Sequence, residues 1–151
     1  MGMKSHLEGF IKQLDVAFEI GKGTTFSSIP RNISSVLICG IGGSGIGGII
    51  TSKSIADVCT VPVITCNDYH IPSFVNETTL IIASSYSGNT EETLTVVKAG
   101  IAKGAHLCAI TSGGELKEIC ESTGSNHILI PGGNPPRTCL GYSLTEQIFA
   151  L

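Results

Sequence analysis

Two short stretches of this chain carry residue types that can bind an oxyanion without a fixed cation. One is Gly40-Ile41-Gly42-Gly43-Ser44-Gly45, and the other is Ser84-Ser85-Tyr86-Ser87-Gly88-Asn89-Thr90. Glycines let the backbone approach a ligand closely, and hydroxyls together with helix N-terminal amides satisfy the oxygens of a phosphate dianion. A third stretch, Pro135-Pro136-Arg137, holds an arginine stiffly beside a turn. Such a group is a preorganised positive donor for negative charge on a bound oxygen.

Each reading has a plainer competitor. The spacing G-x-G-x-x-G over Gly40 to Gly45 also fits a dinucleotide site, and Asp68 lies roughly where the ribose-binding acid would sit. A nicotinamide cofactor, however, gives no role to the hydroxyls of the second stretch. The glycines alone would permit a tight strand-to-helix turn. Ser and Thr at a helix start are favoured as caps whatever the function, although one residue suffices to cap and this stretch offers Ser85, Ser87 and Thr90. Arg137 could equally be a surface ion-pair arginine.

The elements that must position these residues follow from the apolar pattern. Val36 to Cys39 and Leu80 to Ala83 are short, unbroken runs that suit strands buried on both faces of a parallel sheet, and each precedes one of the two loops. Further strands are expected at Val61 to Cys66, His106 to Thr111 and His127 to Ile130, with helices near 44–56, 90–103 and 114–122. Pro62 near the start of the second strand fits an edge position. Leu7, Phe10, Ile11, Leu14, Ala17 and Phe18 recur at helical spacing, predicting an amphipathic helix over about 3–20 that ends at Gly21 and Gly23. Ser143-Leu-Thr-Glu146 resembles a capping box opening a last helix near 143, which is then cut off at Leu151. Strands alternating with helices predict an α/β fold, a doubly wound parallel sheet of five strands with helices on both faces, in a single domain over 1–151.

Composition narrows the function. A formal charge of −3 gives no basic field for a nucleic acid. No apolar run approaches the roughly 20 residues of a membrane span. The six cysteines form no C-x-x-C pair and offer no clustered metal ligands, so they read as small buried hydrophobes of a reducing, cytoplasmic compartment. No cofactor is implied. The chain contains 19 glycines, many of them in the two loops, which points to backbone geometry. The apolar faces of the first and last helices call for partners, so a homodimer or pairing with a second domain is expected.

The ordered set G-x-G-G-S-G, then S-x-S-G-x-T-E, then Pro136-Arg137 ahead of Leu140-Gly141-Tyr142 resembles the sugar isomerase (SIS) domain, most closely the N-terminal half of bifunctional phosphoglucose/phosphomannose isomerases. The resemblance covers nearly the whole chain. It implies a flavodoxin-like sheet that binds a hexose 6-phosphate at the C-terminal ends of its strands, as part of an aldose–ketose isomerase or, alternatively, as a non-catalytic module that senses a phosphosugar to control a partner. Gly43 and Ser44 would then contact the sugar, Ser85, Ser87 and Thr90 would hold the phosphate, and Arg137 would face the reacting carbons. The family usually has two alanines after this arginine, whereas Thr138 and Cys139 follow here. The glutamate, histidine and lysine that do acid–base and ring-opening work in the resembled enzymes come from a second SIS domain, the histidine from a partner subunit, and have no counterpart in this chain. Glu91 and Glu92 lie near the hydroxyl loop, and His70 beside Asp68 fits a solvated loop.

Overall fold

The computed structural model describes residues 8–151. Five parallel strands, β1 (Ser35–Cys39), β2 (Val63–Cys66), β3 (Thr79–Ser84), β4 (His106–Thr111) and β5 (Asn126–Leu129), form one sheet in the order β2-β1-β3-β4-β5. Every residue of β1 and β3 is buried, as their unbroken apolar runs require. β2 is an edge strand with Pro62 just ahead of it, where only its carbonyl is used, accepting from Val36 N at 2.9 Å.

Among the described residues five α-helices cover the sheet: α1 (Phe10–Gly23), α2 (Gly42–Ser54), α3 (Glu91–Ala102), α4 (Gly114–Thr123) and α5 (Leu140–Phe149). Period-two alternation sends Leu37, Ile81, Ala83, Leu107 and Ala109 to the face packed by Val96 and Val97 of α3 and by Leu116 and Cys120 of α4. Val36, Ile38, Ile82, Cys108 and Ile110 point to the opposite face, against Ala17 of α1 and Tyr142 of α5. Burying one such leucine or isoleucine contributes about 1.5–3 kcal/mol. β1 is followed by α2 on this second face and β3 by α3 on the first, so the connections diverge above the C-terminal ends of β1 and β3. That crevice is where open α/β sheets take ligands.

Three expectations change. Gly21 does not end α1: it lies inside the helix, buried, because a Cβ there would collide with the Phe149 ring, which also meets Phe18 edge-on at 5.6 Å. Residues 3–7 of the expected first helix lie outside the described residues. The last helix starts at Leu140 rather than 143, because a single 3-10 turn, Pro136–Thr138, runs straight into it. Ser143 therefore caps nothing; its hydroxyl donates to Leu140 O at 3.2 Å within the helix. β5 is shifted one residue towards the N-terminus, and its Leu129 is exposed on the outer edge of the sheet.

α1 and α5 pack on one another, while Ile11 and Phe18 of α1 and Ile148 of α5 stay exposed. α2 adds an exposed apolar face of its own. Its inner side is Gly45, Gly47, Gly48 and Thr51, while Ile46, Ile49 and Ile50 face outward.

Candidate functional site

The glycine loop, the hydroxyl loop and the Arg137 turn all emerge at the C-terminal edge of the sheet. Gly40 N donates to Cys66 O at 3.2 Å, which seats the first loop on β2, and α2 then begins at Gly42. Its N-cap, Ile41, has no side chain able to cap, so the amides of the first turn are left to the crevice. Ser44, half-buried in that turn, makes no side-chain hydrogen bond among the described residues.

The second loop is shaped from within. Ser85 is only 2% exposed, and its Oγ lies 2.8 Å from Thr90 Oγ1 and accepts from Gly88 N at 3.1 Å. Gly88 has φ +72°, and a Cβ there would collide with the carbonyl oxygen of Gly113, so this position requires glycine. Ser87 is exposed, its Oγ accepting from Asn89 N at 3.2 Å. Thr90 is the N-cap residue of α3, yet its hydroxyl turns to Ser85 and forms no cap bond. Capping therefore does not account for the hydroxyls, and the first-turn amides of α3 are free to meet an anion. Asn89 does cap a helix, but a different one: its Oδ1 accepts from Glu115 N of α4 at 2.9 Å.

Arg137 is brought to the first loop. A Cβ on Gly43 would stand 3.6 Å from Pro136 O and 4.0 Å from Arg137 Cα, so the two backbones touch. The segment before Arg137 is tied to the hydroxyl loop by Tyr86, whose phenol donates to Pro131 O at 2.9 Å and accepts from Asn134 N at 3.0 Å. The segment after it is held by Gln13 of α1, donating to Thr138 O at 2.6 Å. Arg137 itself is exposed and forms no ion pair or hydrogen bond with the described residues, so the surface ion-pair reading loses its support. It stands as an uncommitted cation beside Gly43 and Ser44.

Candidate acids and bases are less well placed. Glu91 and Glu92 in the first turn of α3 lie near Tyr69, whose phenol is raised above its usual range by desolvation and by these two carboxylates. His70 Nδ1 is 3.5 Å from Asp68 Oδ1, with both side chains largely in solvent. Asp68, the acid a dinucleotide site would use, also accepts from Tyr69 N. At the opposite edge of the sheet a cavity of about 290 Å³ is lined by Ser27, Ile101, His106 and Asn126 among others, away from all three loops.

The tie from Gln13 and the tethering by Tyr86 were not visible in the sequence: their partners lie 125 and 45 to 48 residues away, and no local spacing marks them.

No protein-family model matches the chain. It is 48% identical over 132 residues, or 87% of its length, to a bifunctional phosphoglucose/phosphomannose isomerase of Caldicellulosiruptor bescii. It is 51% identical over 109 residues, or 72% of its length, to the protein of that name from Thermoplasma acidophilum. The solved structure of tagatose-6-phosphate ketose/aldose isomerase from Escherichia coli shares the fold with a TM-score of 0.60 at 15% identity, over 95% of this chain and 40% of that one. The chain is a sugar isomerase (SIS) domain. It spans 39% and 33% of the two relatives' own lengths. In this SIS domain the crevice between β1 and β3 is walled by α2 on one side, the hydroxyl loop on the other and the Arg137 turn above α2. Among the described residues no helix is long and apolar enough to cross a membrane.

Proposed function

We propose that this SIS domain binds a hexose 6-phosphate in the crevice and is the N-terminal half of an aldose–ketose isomerase that interconverts glucose or mannose 6-phosphate with fructose 6-phosphate. The observation that carries the reading is the seating of Arg137 against Gly43, next to a hydroxyl loop whose threonine leaves its helix uncapped. Ser87, Thr90 and the α3 amides receive the phosphate; Ser85, expected to hold it too, is buried with its hydroxyl engaged by Thr90 and Gly88 and shapes the loop from inside instead. Gly43 and Ser44 meet the sugar. Arg137 stabilises the enediolate oxygen, because its charge is already in place when the negative charge develops and needs no reorganisation. Proton transfer between the adjacent carbons needs a carboxylate or imidazole within hydrogen-bond reach. That group is supplied by a second SIS domain or a partner subunit, a homodimer included, so this chain by itself binds without turnover.

Calorimetric titration of fructose 6-phosphate, with NADH titrated separately, tests the reading. Fructose 6-phosphate heat that falls about tenfold in affinity in Ser87→Ala and in Arg137→Met, with no NADH heat, supports it; one charge-assisted hydrogen bond has about that effect. NADH binding without fructose 6-phosphate binding returns the glycine loop to a dinucleotide. Turnover by the purified chain, abolished by a substitution within it, refutes the assignment of the acid–base groups to another domain.

A further inference from the structure

α5 begins directly after the Arg137 turn, and on α5 the fully buried Gln147 reaches across to α2. Its Nε2 donates to Ser44 O at 3.2 Å, and its Oε1 accepts from Thr51 Oγ1 at 3.1 Å. The two bonds demand different ends of one amide: a carbonyl can only accept, so the nitrogen must face Ser44 and the oxygen must face the threonine hydroxyl. A carboxylate cannot donate to Ser44 O, and an apolar side chain would take from the buried Thr51 hydroxyl its acceptor and from Ser44 O its second donor. Space for the amide comes from Gly47, where a Cβ would press within 3.4 Å of both amide atoms and 3.2 Å of Ser143 Oγ. The bond falls on the same turn of α2 that carries the Ser44 side chain, and α5 is a continuation of the segment that carries Arg137.

We infer that Gln147 is a positioning residue that fixes the separation of Ser44 and Arg137, and with it the shape of the sugar half of the crevice. The hydroxyl loop, built on β3, β4 and α3, is not held by this amide. The inference rests on the reading given above, in which Ser44 and Arg137 meet the sugar and residues 85–90 meet the phosphate. It therefore assigns Gln147 an effect on one part of the ligand and not on the other.

The test is calorimetric titration of fructose 6-phosphate and of inorganic phosphate into the wild type, Gln147→Leu and Gln147→Glu, with urea unfolding of each. The expected result is a loss of about tenfold or more in fructose 6-phosphate affinity in both variants, with phosphate affinity within about twofold of wild type. Should the leucine variant fail to fold, the glutamate variant titrated at pH 9 carries the test: burial raises a carboxyl here as it does Glu146, and only the ionised form keeps the acceptor for Thr51 while losing the donor to Ser44, with urea unfolding at the same pH reporting the cost of the buried charge. Parallel weakening of both ligands would show a merely structural role and overturn the inference, as would unchanged fructose 6-phosphate binding by a folded variant. A wild type that binds inorganic phosphate but not the sugar phosphate refutes this inference while leaving the phosphate loop standing. Binding of neither ligand refutes the underlying reading, and the inference falls with it.

Discussion

Glu146 offers the sharpest test of how α5 is packed. Its side chain is 0% exposed, lies over the sheet on the face that includes Cys108, and neither carboxylate oxygen has a hydrogen-bond partner. Desolvation alone raises its pKa from 4.5 to about 7. The sign follows from linkage: a carboxyl whose pKa is higher folded than unfolded binds more protons when folded, so it weakens the fold as pH rises. The penalty is absent below about pH 4.5, grows through the interval and is complete above about pH 7. At roughly 1.4 kcal/mol per unit, integration between pH 5 and pH 8 gives about 2.5 kcal/mol. For a chain of this size that is about 5–10 °C in melting temperature.

The perturbation is Glu146→Gln, read by urea unfolding at pH 5, 6, 7 and 8. The amide keeps the shape and removes the titration, while every other ionising group is common to both proteins. The difference in unfolding free energy should therefore move by about 2.5 kcal/mol in favour of the variant between pH 5 and pH 8. A difference that stays constant across the series would refute the reasoning and mean that water or a rearranged neighbour solvates the carboxylate. The Cys108 thiol provides an internal check. Burial first, then Cys120 and Glu146, push it up to about 12, so it should resist alkylation in the folded protein.

Two further outcomes follow from packing. Gly88→Ala must place a side chain at φ +72° against the Gly113 carbonyl, so it should destabilise the fold by about 2 kcal/mol or more and weaken fructose 6-phosphate binding with it; thermal unfolding within about 0.5 kcal/mol of wild type would contradict the loop geometry. The outward isoleucines of α2 should drive association, so light scattering at rising protein concentration is expected to show a larger species that Ile46→Lys with Ile50→Lys reduces to monomer at unchanged unfolding free energy; a wild type that remains monomeric throughout would show that this face tolerates water.

The sheet was legible because each buried strand is a contiguous apolar run bounded by turn residues. Val36 to Cys39 and Leu80 to Ala83 needed nothing beyond that rule, and the loops at their C-terminal ends fell into place with them. The last helix was misread for a physical reason. Ser143 and Glu146 have the spacing of a capping box, but a cap is defined by the backbone before it, and here Pro136 starts a 3-10 turn that hands its chain direction to Leu140. The same two residues consequently lie inside the helix and under its packing surface. α2 shows a different limit: periodicity reads large apolar residues as inward, yet its glycines face β1 and α5 because only they allow so close an approach, leaving the isoleucines outside.

The candidate site divides along the same line. Ser44, Ser85, Ser87, Thr90 and Arg137 stand out as candidates because their types cluster locally, whereas the residues that bring the clusters together do not. Tyr86 ties the hydroxyl loop to the segment before Arg137, Gln13 holds the segment after it, and Gln147 clamps the Ser44 turn, each over a separation of more than forty residues. Such residues carry no local signature because either amide end, or a phenol, serves equally well on any surface; their role exists only once the fold has chosen their partners. A crevice built from three separate loops therefore takes its residue types from short motifs and its geometry from side chains outside them. Substitutions at Gln13 and Gln147 should accordingly be felt at the ligand even though neither side chain belongs to a binding motif.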